Sequence, residues 1–427
     1  MLLIAHEHFN GRLSTLAGQL WPQFSAPIVP KTFRRNGKEE YCFQVSGAEG
    51  EQHLNTNYFV GVDWLLKDKI SIYVEPKLND EHQQIDFLSM LFQSLQAPEN
   101  LGHLENLYQV DFEANWITIP QQKDLLSPLM IAQFIKLLQE ITKKGLKKSY
   151  YKVRSNLRNK IKGKIILSRN LRENVLKSRQ THTFCEYQEF GYNFVENQFL
   201  KTVLHFVKAY VHQECYFFDA PQKRNFLEIL NFCAPSFFQV DELADPHQRF
   251  DIKKNVFYSE YPEAIRIGRY ILKRFSFNIK KTSLSACSTP PFWIDMSKLF
   301  ELYVFGKLKA LFPEQGQLSY HDKFKGGKET DILLKHPECK AVIDCKYKPR
   351  YLDNDPSLED KRQLAGYTRL KSVYDKLDVP IHEIVRGLII YSNQFFSTEI
   401  NKDELFSHKI KEYVDFYKLG VALPRVP

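Results

Sequence analysis

The segment Thr330-Asp331-Ile-Leu-Leu-Lys-His-Pro-Glu-Cys-Lys-Ala-Val-Ile-Asp344-Cys345-Lys346 holds two carboxylates and an ammonium at spacings that a hairpin would bring together. Folded about Glu338, it sets Asp331 opposite the stretch from Asp344 to Lys346. Side chains alternate along a strand, so Asp344 and Lys346 share a face and Cys345 points away. The preceding Ala341-Val-Ile343 is apolar, which puts the charges at the rim of a buried strand. Such a set suits a hard divalent cation: Mg²⁺ takes oxygen ligands and keeps several waters, with Mn²⁺ as an alternative. Asp331 and Asp344 would hold the ion, the backbone carbonyl of Cys345 could add a ligand, and Lys346 could orient the attacking water or help deprotonate it. The ion would polarise a phosphate and lower the pKa of its water. The same spacing also fits a surface salt-bridge cluster, worth at most about 1 kcal/mol.

Two further residues bear on that choice. Glu301 has Val304, Phe305 and Leu308 at i+3, i+4 and i+7, so an acid stands on the apolar stripe of a helix that Asp295 precedes and that is expected to run to about Phe312. An unpartnered carboxylate there is costly. Metal-bound water or Lys346 would compensate it, while pairing with Lys298 on an exposed edge is the bland alternative. Gln363 follows the hairpin by one helix and shares a face with Tyr367. It reads equally well as a site residue and as an ordinary polar helix position.

The elements around these residues fall into three stretches. Residues 1–125 look β-rich: Tyr58–Trp64 and Lys69–Lys77 are β-branched and aromatic around the polar turn Lys67-Asp68, which reads as a hairpin. In the second run Ile70, Ile72 and Val74 face one way and Ser71, Tyr73 and Glu75 the other. A helix is expected over 84–95. Residues 126–285 look mainly helical, with an amphipathic stripe from Leu129 to Ile141 and helices expected over 189–204 and 262–274. Ser288-Thr-Pro-Pro291 breaks the chain. Residues 286–427 alternate helix, strand, strand, helix, strand, with strands at 331–335, 341–347 and 387–391 and a helix from Leu358 to about Leu377. The expectation is a multidomain α+β protein whose C-terminal domain is α/β.

The chain has 427 residues, 43% hydrophobic and 14% aromatic, which excludes a disordered or collagen-like polypeptide. No apolar run reaches the roughly 18 residues of a membrane span, and the first residues lack a basic, signal-like start. Its seven cysteines form no Cys-x-x-Cys pair. A soluble, cytoplasmic protein without a membrane partner is expected. The net charge of +9 is concentrated between Ile141 and Arg179, where fourteen lysines and arginines face one acid, Glu173. Tyr150, Tyr151, Leu157, Ile161 and Ile165 are interleaved with them, so the segment reads as a folded cationic surface suited to phosphates. No Gly-x-x-x-x-Gly-Lys-[Ser/Thr] occurs, so no nucleotide is expected on this chain itself. Neither a Gly-x-Ser-x-Gly elbow nor a His-Glu-x-x-His pair is present.

Helix acid, strand Asp331, strand Asp344-x-Lys346 and a following helix with Gln363 together resemble the PD-(D/E)xK nuclease superfamily, with Thr330 in place of the usual Pro. Asp295-Met-Ser-Lys-Leu-Phe-Glu301-Leu-Tyr-Val304 looks like the corresponding helix of the McrC family, the nuclease subunits of McrBC-type restriction systems. Asp344-Cys-Lys-Tyr-Lys348, Asp360-x-x-Gln363-x-x-x-Tyr367, Asn156-Leu-x-x-x-Ile-Lys-Gly163-Lys-Ile165, Glu189-Phe…Asn197, Tyr58-Phe-Val-Gly-Val and Ile72-Tyr-Val-Glu-Pro-Lys77 fit the same family. The resemblance implies a PD-(D/E)xK domain over 286–427, with a central mixed sheet flanked by helices. It implies a catalytic set of Glu301, Asp331, Asp344, Lys346 and Gln363, with Mg²⁺ on Asp331 and Asp344 and Glu301 reaching it through water. It also implies a type IV, modification-dependent endonuclease acting on double-stranded DNA that carries modified cytosine. Such a subunit docks through its N-terminal region on a McrB-like AAA+ GTPase oligomer and stimulates its GTPase. Lys160, Lys162 and Lys164 are the residues of the basic segment assigned to DNA. Two other readings stay open: a nuclease subunit of a related system that cuts unmodified sequences, and a catalytically inert nucleic-acid-binding activator of an NTPase.

Overall fold

The protein is described from a computed structural model, over residues 1–17, 28–35, 38–47, 52–79, 84–94, 103, 107–111, 114–119, 126–212, 220–245, 248, 250–252, 256–278, 287–324, 328–348, 356–395 and 399–425. It divides into two compact units, 1–123 with 285–427 and 124–284.

In the first unit the hairpin Phe59–Leu66/Ile70–Glu75 forms as the β-branched pattern requires. It turns at Asp68, whose φ of 61° is left-handed, a conformation that Asp tolerates better than most residues. Strand alternation predicts one covered face, yet Ser71 and Tyr73 are buried along with Ile70, Ile72 and Val74. The reason lies in the neighbours. The five-stranded sheet runs Leu2–His6, Ile70–Glu75, Phe59–Leu66, Phe292–Asp295, Tyr108–Val110, and its core includes Phe33, Phe43, Phe59 and Trp293. The strand Phe292–Asp295 thus enters from far along the chain and pairs antiparallel with strands on both sides. Trp293 anchors it, with Nε1 donating to Asp63 Oδ2 at 2.9 Å, while Lys31 lies 3.1 Å from the same carboxylate. Gly61 is required beside it: a Cβ there would stand 2.0 Å from the Phe292 carbonyl oxygen. Just before this strand, Cys287–Thr289 pairs antiparallel with Ile117–Ile119, a two-stranded ribbon where the chain leaves the first unit and where it returns. A four-stranded sheet, Asn10–Arg12, His53–Thr56, Lys38–Ser46, Lys31–Arg35, completes the N-terminal part.

Phe292–Asp295 runs directly into the helix Met296–Leu311, and the Asp295 side chain caps it by accepting from the Lys298 N–H at 3.0 Å. This helix flanks a second five-stranded sheet of order Leu318–Phe324, Lys328–His336, Cys339–Lys346, Arg386–Ser392, Phe416–Val421. Its first two pairings are antiparallel and its last two parallel, so the sheet is mixed. The hairpin pairs Ile332 with Ile343 and His336 with Cys339 around Pro337-Glu338. Two strands, Leu318–Phe324 and Phe416–Val421, were not expected from the residue pattern. The helix expected from Leu358 to Leu377 is two helices, Leu358–Tyr367 and Lys371–Leu377, because Leu370 is extended, with ψ of 123°.

The second unit corrects the expectation of a helical middle region. Helices Leu126–Lys144, Val195–His212, Ala220–Cys233 and Glu260–Asn278 are present. The basic segment, however, builds an antiparallel sheet in which Ser149–Arg158 pairs with His182–Gly191 along its length and Lys164–Ile165 adds a short third strand. Glu189 to Gly191 close that sheet, and the helix expected from Glu189 starts at Val195. Along Ser149–Arg158 half-buried and exposed positions alternate, a period of two that the density of Lys and Arg conceals.

Gly61→Ala should lower stability by at least about 1–3 kcal/mol, because the added carbon meets backbone that cannot swing aside. Gly366→Ala, inside the helix Leu358–Tyr367 with nothing within 4 Å of the new carbon, should be neutral or stabilising by up to about 1 kcal/mol. Urea denaturation midpoints of the two variants test the contrast.

Candidate active site

Three elements of the first unit deliver acids to one pocket. The helix Met296–Leu311 supplies Glu301, only 8% exposed. The strand Lys328–His336 supplies Asp331, and the strand Cys339–Lys346 supplies Asp344, 1% exposed. Asp331 Oδ2 accepts the Cys345 N–H at 2.8 Å, which ties the two hairpin strands together at their charged end. Glu301 Oε2 accepts from the Tyr320 hydroxyl at 3.2 Å and lies 2.8 Å from His321 Nε2. The other ring nitrogen, Nδ1, lies 2.8 Å from Glu329 Oε1. One ligand atom from each of Glu301, His321 and Asp331 falls within 4.8 Å of the others.

Lys346 occupies the adjoining position. Its Nζ lies 2.9 Å from Asp344 Oδ2 and donates to Gln363 Oε1 at 2.9 Å. Gln363 in turn donates through Nε2 to the Tyr367 hydroxyl at 3.2 Å. Asp360, 2% exposed and 3.9 Å from Lys346 Nζ, is held by Lys348 at 2.8 Å and by the Ser357 hydroxyl at 2.6 Å. The helix Leu358–Tyr367 therefore carries both the amide and the second carboxylate that fix the Lys346 ammonium.

The electrostatics follow from withdrawing these groups from water together. Burial, joined by the charges of Glu301 and Asp344, pushes the Asp331 carboxyl well above the usual carboxylate range. Asp344 is pushed up to about 6 by burial, although the Lys346 ammonium pulls the other way. Burial alone would lower Lys346, but Asp344, Asp331 and Asp360 outweigh it and raise it, so it remains an ammonium at neutral pH. Burial also opposes charge on His321, and Glu301 and Glu329 outweigh it in the same way. The pocket is a set of clustered oxygen donors plus one imidazole, whose repulsion a divalent cation would relieve. The donor set fits such an ion.

The sequence profile described as McrBC 5-methylcytosine restriction system component matches residues 54–377, well over half of the chain. The chain belongs to the McrBC family. Among solved structures, an assembly of Thermococcus gammatolerans McrB AAA+ hexamers with bound McrC is similar to it. That likeness covers 99% of this chain and 95% of that one, at 14% identity and a TM-score of 0.41. The cryo-EM structure of the Thermococcus gammatolerans McrBC complex is similar over 72% of this chain and 87% of that one, at 14% identity and a TM-score of 0.27. No curated protein matches the chain.

In this McrBC-family chain, Glu301, Asp331, Asp344, Lys346 and Gln363 all lie in or beside the pocket. They form two adjoining groups, Glu301 with Asp331 and Asp344 with Lys346 and Gln363. Cys345 contributes its backbone N–H to Asp331, and its side chain is buried. His321, Tyr320 and Glu329 escaped the sequence reading. His321 sits in a strand that the residue pattern does not reveal, and its φ of 51° breaks the alternation that would have aimed it. Lys160, Lys162 and Lys164 belong to the second unit. All three are exposed, and Lys162 Nζ lies 2.9 Å from Glu189 and 4.1 Å from the Tyr187 ring centroid. Gly163 between them is left-handed, with φ of 69°, and a Cβ there would stand 2.4 Å from the Glu186 carbonyl oxygen. Arg154, Lys164, Arg169 and Arg172 line a shallow cleft on the same unit together with Glu186. Among the described residues, no helix is long and apolar enough to cross a membrane.

A raised carboxyl binds protons more tightly in the folded than in the unfolded chain. Metal-free protein should therefore lose stability as pH rises from about 4, the unfolded value, through the folded value of about 6 for Asp344. The contribution is roughly 2–3 kcal/mol. Asp344→Asn should remove that part of the pH dependence, read as the difference between wild-type and variant urea midpoints across this range.

Proposed function

We propose that this chain is the McrC-type subunit of a McrBC-like restriction complex, a divalent-metal-dependent endonuclease of the PD-(D/E)xK type that cuts double-stranded DNA. The observation that carries the reading is the convergence of Glu301, Asp331, Asp344 and Lys346 at one end of a mixed sheet, in a chain of the McrBC family. Domains at 1–125, 126–285 and 286–427 accompany this reading, the first docking on the partner.

Glu301 and Asp331 would hold the cation, with His321 beside them and Asp344 adjoining. A bound Mg²⁺ or Mn²⁺ supplies Lewis-acid stabilisation of the phosphate and a more acidic water. Lys346 acts as a fixed cation. Asp344, Asp360 and Gln363 hold its ammonium where it can donate to a phosphate oxygen or to the attacking water, and that charge offsets what develops at phosphorus. Asp331, steadied by the Cys345 N–H, keeps its carboxylate aimed into the pocket rather than toward solvent. Gln363, bridging Lys346 and Tyr367, limits the rotamers of the lysine. The basic sheet of the second unit, with Lys160, Lys162 and Lys164, offers a cationic surface for DNA phosphates.

The partner would be an AAA+ GTPase oligomer of the McrB type, whose GTPase this subunit stimulates and which selects DNA carrying modified cytosine. The description of the family as a 5-methylcytosine restriction component supports this choice over a system reading unmodified sites.

Cleavage of methylated and unmethylated plasmid, with Mg²⁺ or Mn²⁺ and with or without the partner and GTP, tests the reading. Asp344→Ala and Lys346→Ala should each reduce cutting on the order of a hundred- to a thousandfold, while partner binding and GTPase stimulation persist. Undiminished cutting by both variants, or none by wild type alongside intact GTPase stimulation, would sink it.

A further inference from the structure

His321 has features that an ordinary strand residue does not need. It takes a left-handed backbone, with φ of 51°, in the middle of the strand Leu318–Phe324. Non-glycine residues pay for that conformation, and it persists where surrounding structure holds it. The flanking pairs are regular, Tyr320 with Ile332 and Asp322 with Thr330, so the distortion is confined to one residue, opposite Asp331. Its effect is to swing the imidazole to the helix that carries Glu301. Glu329, from the neighbouring strand, holds Nδ1 at 2.8 Å. Nε2 is then the nitrogen that faces the pocket, 2.8 Å from Glu301 Oε2. The Tyr320 ring packs beside the imidazole, with ring centroids 4.2 Å apart.

A histidine whose far nitrogen is held by a carboxylate while the near one faces two acids has the arrangement in which imidazoles ligate metals. We propose that His321 is a metal ligand of this pocket and sets its ion preference. With Glu301 and Asp331 it forms a three-donor site that favours Mn²⁺ over Mg²⁺. The inference rests on the reading of the pocket as a divalent-cation site. Mg²⁺ prefers an all-oxygen shell rich in water, whereas first-row transition ions accept imidazole nitrogen. Glu329 is a positioning residue that fixes the ring.

The test uses the full, metal-free chain, with Mn²⁺ and Mg²⁺ as the probes. Calorimetric titration gives the two affinities, and pulsed EPR of the Mn²⁺-loaded protein reports nitrogen coupled to the ion. Protein grown with ¹⁵N-histidine identifies that nitrogen as imidazole without any substitution. Wild type should bind Mn²⁺ at least about tenfold more tightly than Mg²⁺ and show histidine coupling. His321→Gln should lose the coupling and about 10- to 100-fold in Mn²⁺ affinity, with Mg²⁺ affinity changed less than about threefold. Glu329→Gln should keep the coupling and weaken Mn²⁺ binding. Mn²⁺ binding that Asp331→Asn abolishes, but that lacks histidine coupling in wild type, would overturn the role of His321 and leave the cation pocket standing. No Mn²⁺ binding by wild type at millimolar concentration would overturn both.

Discussion

Three carboxylates, Glu301, Asp331 and Asp344, are drawn out of water into one pocket by three separate elements, and their mutual repulsion is what the surrounding polar structure offsets. Each such charge costs several kcal/mol to desolvate unless it is paired. The compensation is distributed. Asp331 receives a backbone N–H from Cys345, Glu301 receives the Tyr320 hydroxyl and the His321 ring, and Asp344 receives the Lys346 ammonium. Lys346 is itself held from the far side by Gln363 and Asp360. Removing the acids would make the fold easier to build, and their presence together in a buried pocket accords with a cation binding there.

The same constraint explains the order of elements. A helix acid can meet two strand acids only if the helix start is fixed relative to the sheet. Asp295 caps that start, and the strand it ends is locked between two others by Trp293. Glu301 is thus referenced to the N-terminal sheet at one end and to the pocket at the other. On the opposite side, the break at Leu370 ends the helix that bears Asp360 and Gln363 after three turns, leaving Lys371–Leu377 to pack separately.

Much of this was legible in the residues. The hairpin from Asp331 to Lys346 shows itself through apolar runs ending in charges, and the helix through its apolar stripe. The mixed α+β character follows from alternating periods. Other features were not legible, for physical reasons. Phe292–Asp295 finds both of its partner strands far earlier in the chain, at Phe59–Leu66 and Tyr108–Val110, and four residues after Pro290-Pro291 are too short a run to announce that pairing. Ser149–Arg158 alternates with period two, yet three of its four exposed positions, Lys152, Arg154 and Arg158, are basic and mask the pattern. His321 lies in a short strand of mixed polarity, and the residues around it carry no signal of its left-handed backbone.

The ribbon made by Ile117–Ile119 and Cys287–Thr289 has an evolutionary meaning. It brings the outgoing and returning chain side by side, so to the first unit everything in between is one long excursion from a single point on its surface. Closing such an excursion costs entropy that grows only with the logarithm of its length, and neighbouring entry and exit points are the condition under which one fold accepts another as an insertion. The second unit can therefore lengthen, shorten or be exchanged between relatives without disturbing the register of the host sheets. Diversification of this kind would leave the acidic pocket untouched while the inserted surface drifts to suit new partners.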